Sequence, residues 1–210
     1  PENIDNYEVG MKSRWLDGTL SLNVSVYKFF YDGLQVAVNT SGAAFGIENV
    51  GEVEGEGLEA DLTYRPNEHW EFYGNIALAE TEITDLRADV TRVSEGDRLL
   101  YNPEVTGTAM VTYRQPISNG GHIFITGVYN YFDEMEVPNG LILDSYSLMD
   151  ARVGYRHASD RWNAAVFVRN ITDEVYFTNG VGQRAFTNVT DLVSGLGEPQ
   201  TWGIDFNYSF

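Results

Sequence analysis

Residues 201–210 read TWGIDFNYSF, and every second side chain in this stretch is apolar or aromatic. Those side chains are Trp202, Ile204, Phe206, Tyr208 and Phe210, and the residues between them are small or polar. In a β-strand, successive side chains point to opposite faces of the sheet. The pattern therefore predicts a strand with one apolar face and one polar face.

The same period-two alternation recurs along the chain, whereas helical periodicity is hard to find. In 58–65, for example, Leu58, Leu62 and Tyr64 alternate with acidic, polar or basic residues. We predict about nine strands, near 5–16, 19–31, 54–65, 70–82, 104–114, 122–132, 145–156, 162–171 and 200–210. Most of them reach the roughly 9–11 residues with which a tilted strand crosses a bilayer.

Short and long connections alternate between these strands. The short turns lie at 17–18, 66–69, 115–121 and 157–161, and the long polar connections lie near 32–53, 83–103, 133–144 and 172–199. An antiparallel up-and-down transmembrane β-barrel has this arrangement, with tight turns at one end and extended loops at the other. A soluble β-sandwich has no reason to sort its loops in this way.

Aromatic and charged residues are sorted by the same two ends. Trp and Tyr residues cluster beside the short turns, as expected at a membrane interface: Trp15, Tyr64, Trp70, Tyr113, Tyr155 and Trp162. The chain carries 13 Lys and Arg against 31 Asp and Glu, a net charge of -18. Most of this negative charge falls in the long connections, while Lys12, Arg14 and Arg114 lie beside short turns.

Composition excludes several classes of function. The acidic balance argues against a nucleic-acid partner, because the phosphate backbone would repel the chain. Cysteine is absent, which removes thiolate catalysis and cysteine metal sites. His69, His122 and His157 lie beside turns without metal-ligand spacing, and no nucleophile signature is present. We therefore expect no enzyme activity, no catalytic residues, no cofactor and no metal site.

Three stretches resemble the C-terminal part of the barrel of TonB-dependent outer-membrane receptors. They are 49–66, NVGEVEGEGLEADLTYRP; 168–176, VRNITDEVY; and 197–210, which ends in the alternating strand above. The resemblance runs over essentially the whole chain. It implies a plugged barrel of about 22 strands, of which these residues would supply about nine.

On this resemblance, residues 1–210 form the C-terminal portion of the barrel, and the plug domain and N-terminal strands are absent. At this spacing, about 22 strands would need roughly 500 residues. Nine strands alone would leave two open sheet edges, which a membrane does not tolerate. We therefore expect a fragment that does not form a closed transporter by itself.

Two long connections carry candidate ligand-binding residues. Guanidinium groups and rings suit anionic or catecholate groups, and the candidates are Arg87, Arg92, Arg98, Tyr101, Tyr176, Phe177, Arg184 and Phe186. Asp133, Glu134 and Glu136 form a dense acidic group that could attract divalent cations, although a solvated outer face is the favoured interpretation.

The resemblance implies a receptor in the outer membrane of a Gram-negative bacterium. It would take up a scarce nutrient, with an iron–siderophore as the default cargo, using energy from the TonB complex through the missing plug. Other expected partners are membrane lipid, lipopolysaccharide and the barrel-assembly machinery, which would bind the C-terminal strand as an insertion signal. The alternatives are a passive porin-type barrel fragment and a soluble β-sandwich binding module.

Overall fold

A computed structural model describes residues 1–41, 44–86, 94–137, 141–183 and 191–210. Its strands are β1 (Asn3–Trp15), β2 (Leu20–Ser41), β3 (Ala44–Tyr64), β4 (Trp70–Leu86), β5 (Val105–Pro116), β6 (His122–Phe132), β7 (Met135–Val137), β8 (Leu141–Leu143), β9 (Tyr146–Arg156), β10 (Trp162–Arg169), β11 (Phe177–Gln183), β12 (Asp191–Leu196) and β13 (Thr201–Tyr208). A short 3-10 turn, Leu16–Gly18, joins β1 to β2. Within the described ranges, no helix has the length and apolar character needed to cross a membrane.

Nine of the described strands form one antiparallel sheet in the order β1-β2-β3-β4-β5-β6-β9-β10-β13. Each of these strands pairs with the next long strand along the chain, which is the up-and-down arrangement. The all-β prediction and the nine predicted strands are confirmed. β1 and β13 lie at the two edges, so the sheet is open in the part of the chain that the structure describes.

In the half of the sheet nearer the short turns, the strand register keeps apolar residues opposite apolar residues. Val26 pairs with Leu58, and Leu58 pairs on its other side with Leu78. At the far edge, Val166 pairs with Ile204. The result is an apolar face, on which Ile204 is 79% exposed, and toward the long-loop end this face carries the ion pair of Lys28 and Glu54. Exposed large apolar side chains gathered on one face indicate a surface that contacts an apolar surrounding.

The predicted connection at 32–53 is wrong in detail, because β2 and β3 continue through it as a long hairpin. Leu34, Val36 and Val38 alternate with less apolar residues, so the strand signal was present in the sequence. Two features obscured this strand signal: the acidic residues of β3, and a register shift beside Gly33, whose φ is +74°. A bulge at this point allows the ladder to continue past an irregular residue.

Three other connections also contain strand structure. β4 runs on to Leu86, into the connection predicted at 83–103. The connection at 133–144 contains the hairpin β7–β8, and the connection at 172–199 contains the hairpin β11–β12. The four short turns lie where they were predicted. We call the end of the sheet that carries them the short-turn end, and the opposite end the long-loop end.

Aromatic rings form contacts along the apolar face at the short-turn end. Trp70 and Tyr113 have ring centroids 4.8 Å apart, and Tyr155 and Trp162 have centroids 5.3 Å apart. Trp162 also contacts Phe206, at 6.2 Å. The clustering of aromatics at this end is therefore confirmed, and cross-strand ring pairs of this kind stabilise a sheet.

Two glycines of β3 lie beneath aromatic rings of β2 on the polar face. Phe29 is the cross-strand partner of Gly55, and Tyr27 is the partner of Gly57. A Cβ atom at either glycine would collide with the facing ring. This contact gives a physical reason for the glycines in the stretch 49–66, since each ring replaces the side chain that the glycine lacks.

We expect Gly57→Ala to lower the free energy of unfolding by about 1–3 kcal/mol, the usual cost of overpacking. The new methyl group would meet the Tyr27 ring and the Leu78 carbonyl oxygen. Urea titration of the full-length protein in detergent measures this change. The folded fraction at each urea concentration is read from the heat-modifiable mobility of the protein on a gel.

Gly127→Ala is the matched control for that experiment. Gly127 also lies within a strand of the sheet, but a Cβ atom there would meet only Val111 Cγ1, at 3.7 Å. Equal stability of the two variants would show that the rings do not constrain β3.

Candidate ligand-binding rim

The long-loop end of the sheet carries a rim built from three segments. The first, 94–104, lies along the edge of β4 beyond its pairing with β5. The Ile83 N–H donates to the Asp97 carbonyl at 2.8 Å, and the Ala79 N–H donates to the Glu104 carbonyl at 2.9 Å. Thr81 is buried here and accepts from the Leu99 N–H at 3.1 Å. The sheet edge therefore holds this segment in place.

The hairpin β7–β8 forms the second segment of the rim. Val137 and Leu143 are buried, so one face of this short hairpin is anchored in the surrounding protein. The Tyr101 N–H donates to the Glu136 carbonyl at 2.8 Å and joins the hairpin to the first segment. Tyr101 has a φ of +60°. A bulky residue rarely adopts this left-handed conformation, and such strain is typical of functional loops.

A cleft of about 270 Å³ separates these two segments. Its lining residues are Gly96, Asp97, Arg98, Glu134, Met135, Glu136 and Ile142. Arg98 Nη2 lies 2.8 Å from Glu104 Oε1, so an ion pair orients the guanidinium group. No three His, Asp or Glu side chains in the described ranges are placed to hold a metal ion. The expected absence of a metal site stays a prediction.

The third segment, 170–177, adds the Tyr176 ring to a column of three stacked rings at the rim. Phe132 and Tyr146 have ring centroids 4.9 Å apart, and Tyr146 and Tyr176 have centroids 4.5 Å apart. We call these three residues the aromatic column. Gly197 lies directly against the Tyr176 ring. Phe132 and Tyr146 were not predicted as rim residues, although both are aromatics at the loop ends of predicted strands.

Asn170, which is 3% exposed, joins the two ends of the last long loop, at residues 174 and 198. Its Nδ2 donates to the carbonyls of Glu174 and Glu198, at 2.9 and 3.1 Å, and its Oδ1 accepts from the Glu174 N–H at 2.8 Å. We call this arrangement the Asn170 clamp. Asp173 reinforces the clamp by accepting from the Gln200 N–H at 3.0 Å.

The Asn170 clamp explains part of the second stretch of resemblance. Asn170 and Asp173 have φ values of +50° and +52°. Asn and Asp tolerate this left-handed region better than most residues do. The pattern N-x-x-D thus supplies both the turn geometry and the hydrogen bonds that return the chain from β10 to β13.

We expect Asn170→Ala to lower the free energy of unfolding by about 2–4 kcal/mol, because it removes three hydrogen bonds between a buried side chain and the backbone. Asn207→Ala is the control, since Asn207 is exposed and its side chain donates one hydrogen bond to Asn163, at 3.3 Å, among the described residues. Urea unfolding of both full-length variants measures the difference. A clamp variant as stable as the control would contradict the clamp's structural role.

The predicted ligand-binding residues fall into three groups. Arg98 and Tyr101 lie together in the first segment of the rim. Tyr176 belongs to the aromatic column, and Phe177 begins β11, which contacts both β7 and β8. The remaining four candidates, Arg87, Arg92, Arg184 and Phe186, lie outside the residues whose side chains the structure describes. The ligand-binding role of all eight stays a prediction.

The five residues of the predicted insertion signal belong to the C-terminal stretch. Trp202, Ile204, Phe206 and Tyr208 lie on the apolar face of β13, opposite Val168, Val166, Ala164 and Trp162. Phe210 follows the strand and packs its ring against Tyr208, at 5.1 Å between centroids. Their exposure suits contact with an apolar surrounding, and their role as a signal stays a prediction.

The family model described as "TonB dependent receptor-like, beta-barrel" matches residues 1–209. The chain belongs to this family of TonB-dependent receptor barrels. The resemblance inferred from the three stretches is therefore confirmed, and it disfavours the passive-porin alternative. The open apolar face also counts against a soluble β-sandwich, in which a second sheet covers that face.

Curated relatives of this family match most of the chain at low identity. A probable TonB-dependent siderophore receptor, PiuA of Acinetobacter baumannii, is 23% identical over 188 residues, which cover 85% of this chain and 24% of the relative. The metal-pseudopaline receptor CntO of Pseudomonas aeruginosa is 25% identical and covers 99% of this chain. The chain spans only 22–28% of the length of such relatives.

Solved structures of this family share the fold. The ferric yersiniabactin uptake receptor FyuA from Yersinia pestis superposes with a TM-score of 0.81 at 21% identity, over all of this chain and 30% of that one. The siderophore receptor PiuA from Acinetobacter baumannii superposes with a TM-score of 0.75 at 18% identity, over 98% of this chain and 28% of that one. The nine-stranded sheet is thus similar to a section of the wall of a receptor barrel.

Proposed function

We propose that this chain is the C-terminal part of the barrel of an outer-membrane active-uptake receptor. The complete barrel would have about 22 strands and an N-terminal plug. The family match over residues 1–209 is the observation that carries the proposal. On this proposal the apolar face contacts lipid and the polar face lines the interior. The short turns are periplasmic and the long loops extracellular.

The proposed cargo is a scarce metal chelate, with an iron–siderophore as the leading candidate. Relatives and fold neighbours named for siderophores or metal chelates support this class. The chemistry of the rim suits it as well. The aromatic column offers ring faces to a flat chelating group, and the Arg98 guanidinium offers hydrogen bonds to anionic oxygens.

The proposed partners follow from the same arrangement. The apolar face would contact outer-membrane lipid, and the outermost part of the sheet would meet lipopolysaccharide. The alternating strand β13 would bind the barrel-assembly machinery during insertion. Energy would come from the TonB complex through the plug, so no residue of this chain needs to act as a catalyst.

The location is tested by fractionating the source cells and blotting with an antibody against the peptide that ends at Phe210. We expect the antigen in the outer membrane, on a polypeptide several times heavier than 23.5 kDa. An antigen near 23.5 kDa in the soluble fraction would refute the proposal.

The rim is tested with Tyr176→Leu in the full-length protein. Loss of one stacking ring is expected to weaken binding of the ferric chelate by about tenfold, equivalent to about 1.4 kcal/mol. Fluorescence quenching on titration with a panel of ferric siderophores measures Kd.

Tyr129→Leu is the matched control, because it makes the same change on the apolar face, where Tyr129 is exposed. Its Kd should equal that of the unaltered protein. If Tyr176→Leu also binds the chelate with unchanged affinity, the aromatic column does not contact the ligand.

A further inference from the structure

The three connections that build the rim are strongly acidic. The stretches 83–103, 133–144 and 172–199 together hold twelve Asp and Glu residues against four Arg, a net charge of -8. In an up-and-down sheet these connections lie at the same end. A mouth lined by one sign of charge focuses its potential on the space in front of it, and it repels ligands of the same sign.

The described basic side chains near the rim are already paired with carboxylates. Arg98 Nη2 lies 2.8 Å from Glu104 Oε1, and Arg169 Nη1, at the end of β10, lies 3.9 Å from Glu198 Oε2. Lys28 is on the apolar face and is likewise paired with an acidic residue of β3. Each of these three positive charges is therefore offset within the chain.

The cleft between segment 94–104 and the hairpin β7–β8 shows the same imbalance locally. Its described lining carries the carboxylates of Asp97, Glu134 and Glu136 and one guanidinium, that of Arg98. Because Glu104 already binds this guanidinium, the cleft keeps a net negative charge. Glu134 is exposed, so its charge acts on a ligand that approaches the rim.

The aromatic column lies beside these acidic residues. The hairpin β7–β8 is the connection between two rings of the column, Phe132 and Tyr146. The strand β11, which begins directly after Tyr176, contacts both β7 and β8. A ring face carries partial negative charge, so it attracts flat apolar groups and cations and does not favour anions. The rings and the carboxylates thus favour the same sign of ligand charge.

We infer that the rim selects a metal chelate that has flat aromatic chelating groups and carries no net negative charge. This inference rests on the proposed function, because it takes the rim as the ligand site, and it narrows the class of cargo. The rings supply the attraction, and the carboxylates exclude anionic chelates by repulsion. Arg98 can still donate to one coordinated oxygen, since such oxygens keep negative charge when the metal balances the total.

Two ferric complexes of similar shape and different charge test the inference. A ferric tris-catecholate is trianionic, whereas a ferric tris-hydroxypyridinonate is neutral, and both present flat aromatic chelating rings. Fluorescence quenching of the full-length protein measures Kd for each. We expect the neutral complex to bind at least about tenfold more tightly at low ionic strength. The difference should shrink as salt is added, because the Debye length falls from about 30 Å at 0.01 M to about 3 Å at 1 M.

Equal or tighter binding of the trianionic complex would overturn the inference. Failure of the proposed function has a different signature. In that case the unaltered protein binds neither of these complexes nor any ferric siderophore of the panel.

Glu134→Gln tests the charge of the rim locally, because it removes one negative charge and keeps the size of the side chain. It should tighten binding of the trianionic complex by about threefold and leave binding of the neutral complex unchanged. Glu68→Gln is the matched control, since it makes the same change at the short-turn end, where the Glu68 side chain is 80% exposed. Equal Kd values for the trianionic complex in the two variants would contradict the inference.

A spin label measures the potential at the rim without any binding event. Ile142→Cys places the label in the cleft, where Ile142 is 59% exposed, and Ala158→Cys places it in the exposed turn between β9 and β10. Both variants are made in full-length protein freed of any other cysteine. Trianionic chromium oxalate should collide with the label at residue 142 less often, relative to a neutral nickel complex, than with the label at residue 158. The same collision ratio at the two positions would overturn the inference.

Discussion

The structure depends on strict cross-strand register. Because side chains alternate with a period of two, a slip of one residue would turn a whole apolar row to the wrong face. The row that links Val26, Leu58 and Leu78 therefore constrains three strands at once. The glycines beneath Tyr27 and Phe29 add a steric constraint, since only one pairing brings each ring over a residue without a side chain.

Sequence alone predicted the features that depend on local alternation. The nine strands and the short turns follow from patterns such as that of Trp202–Phe206, which can be recognised without any partner strand. The predicted strands 19–31 and 54–65 are shorter than β2 and β3, because the omitted parts mix apolar residues with Asp32, Glu48 and Glu52. When only the polarity of single residues is considered, an extended hairpin that carries charged residues is predicted to be a loop.

The rim could not be predicted in the same way, because it depends on contacts between distant segments. The aromatic column joins Phe132, Tyr146 and Tyr176, whose rings meet only after β6, β9 and the following segment have paired. The buried role of Asn170 likewise requires Glu198, which is 28 residues away in sequence. Sequence identified aromatic and basic residues at this end, but it could not determine which of them come together.

The Asn170 clamp separates the interior of the last long loop from the sheet. One side chain binds the backbone at residues 174 and 198, so the two ends of the loop are joined independently of what lies between them. Insertions or substitutions within that interval need not disturb the pairing of β10 with β13. The interior of the loop can therefore be exchanged as a unit while the scaffold that carries it stays the same.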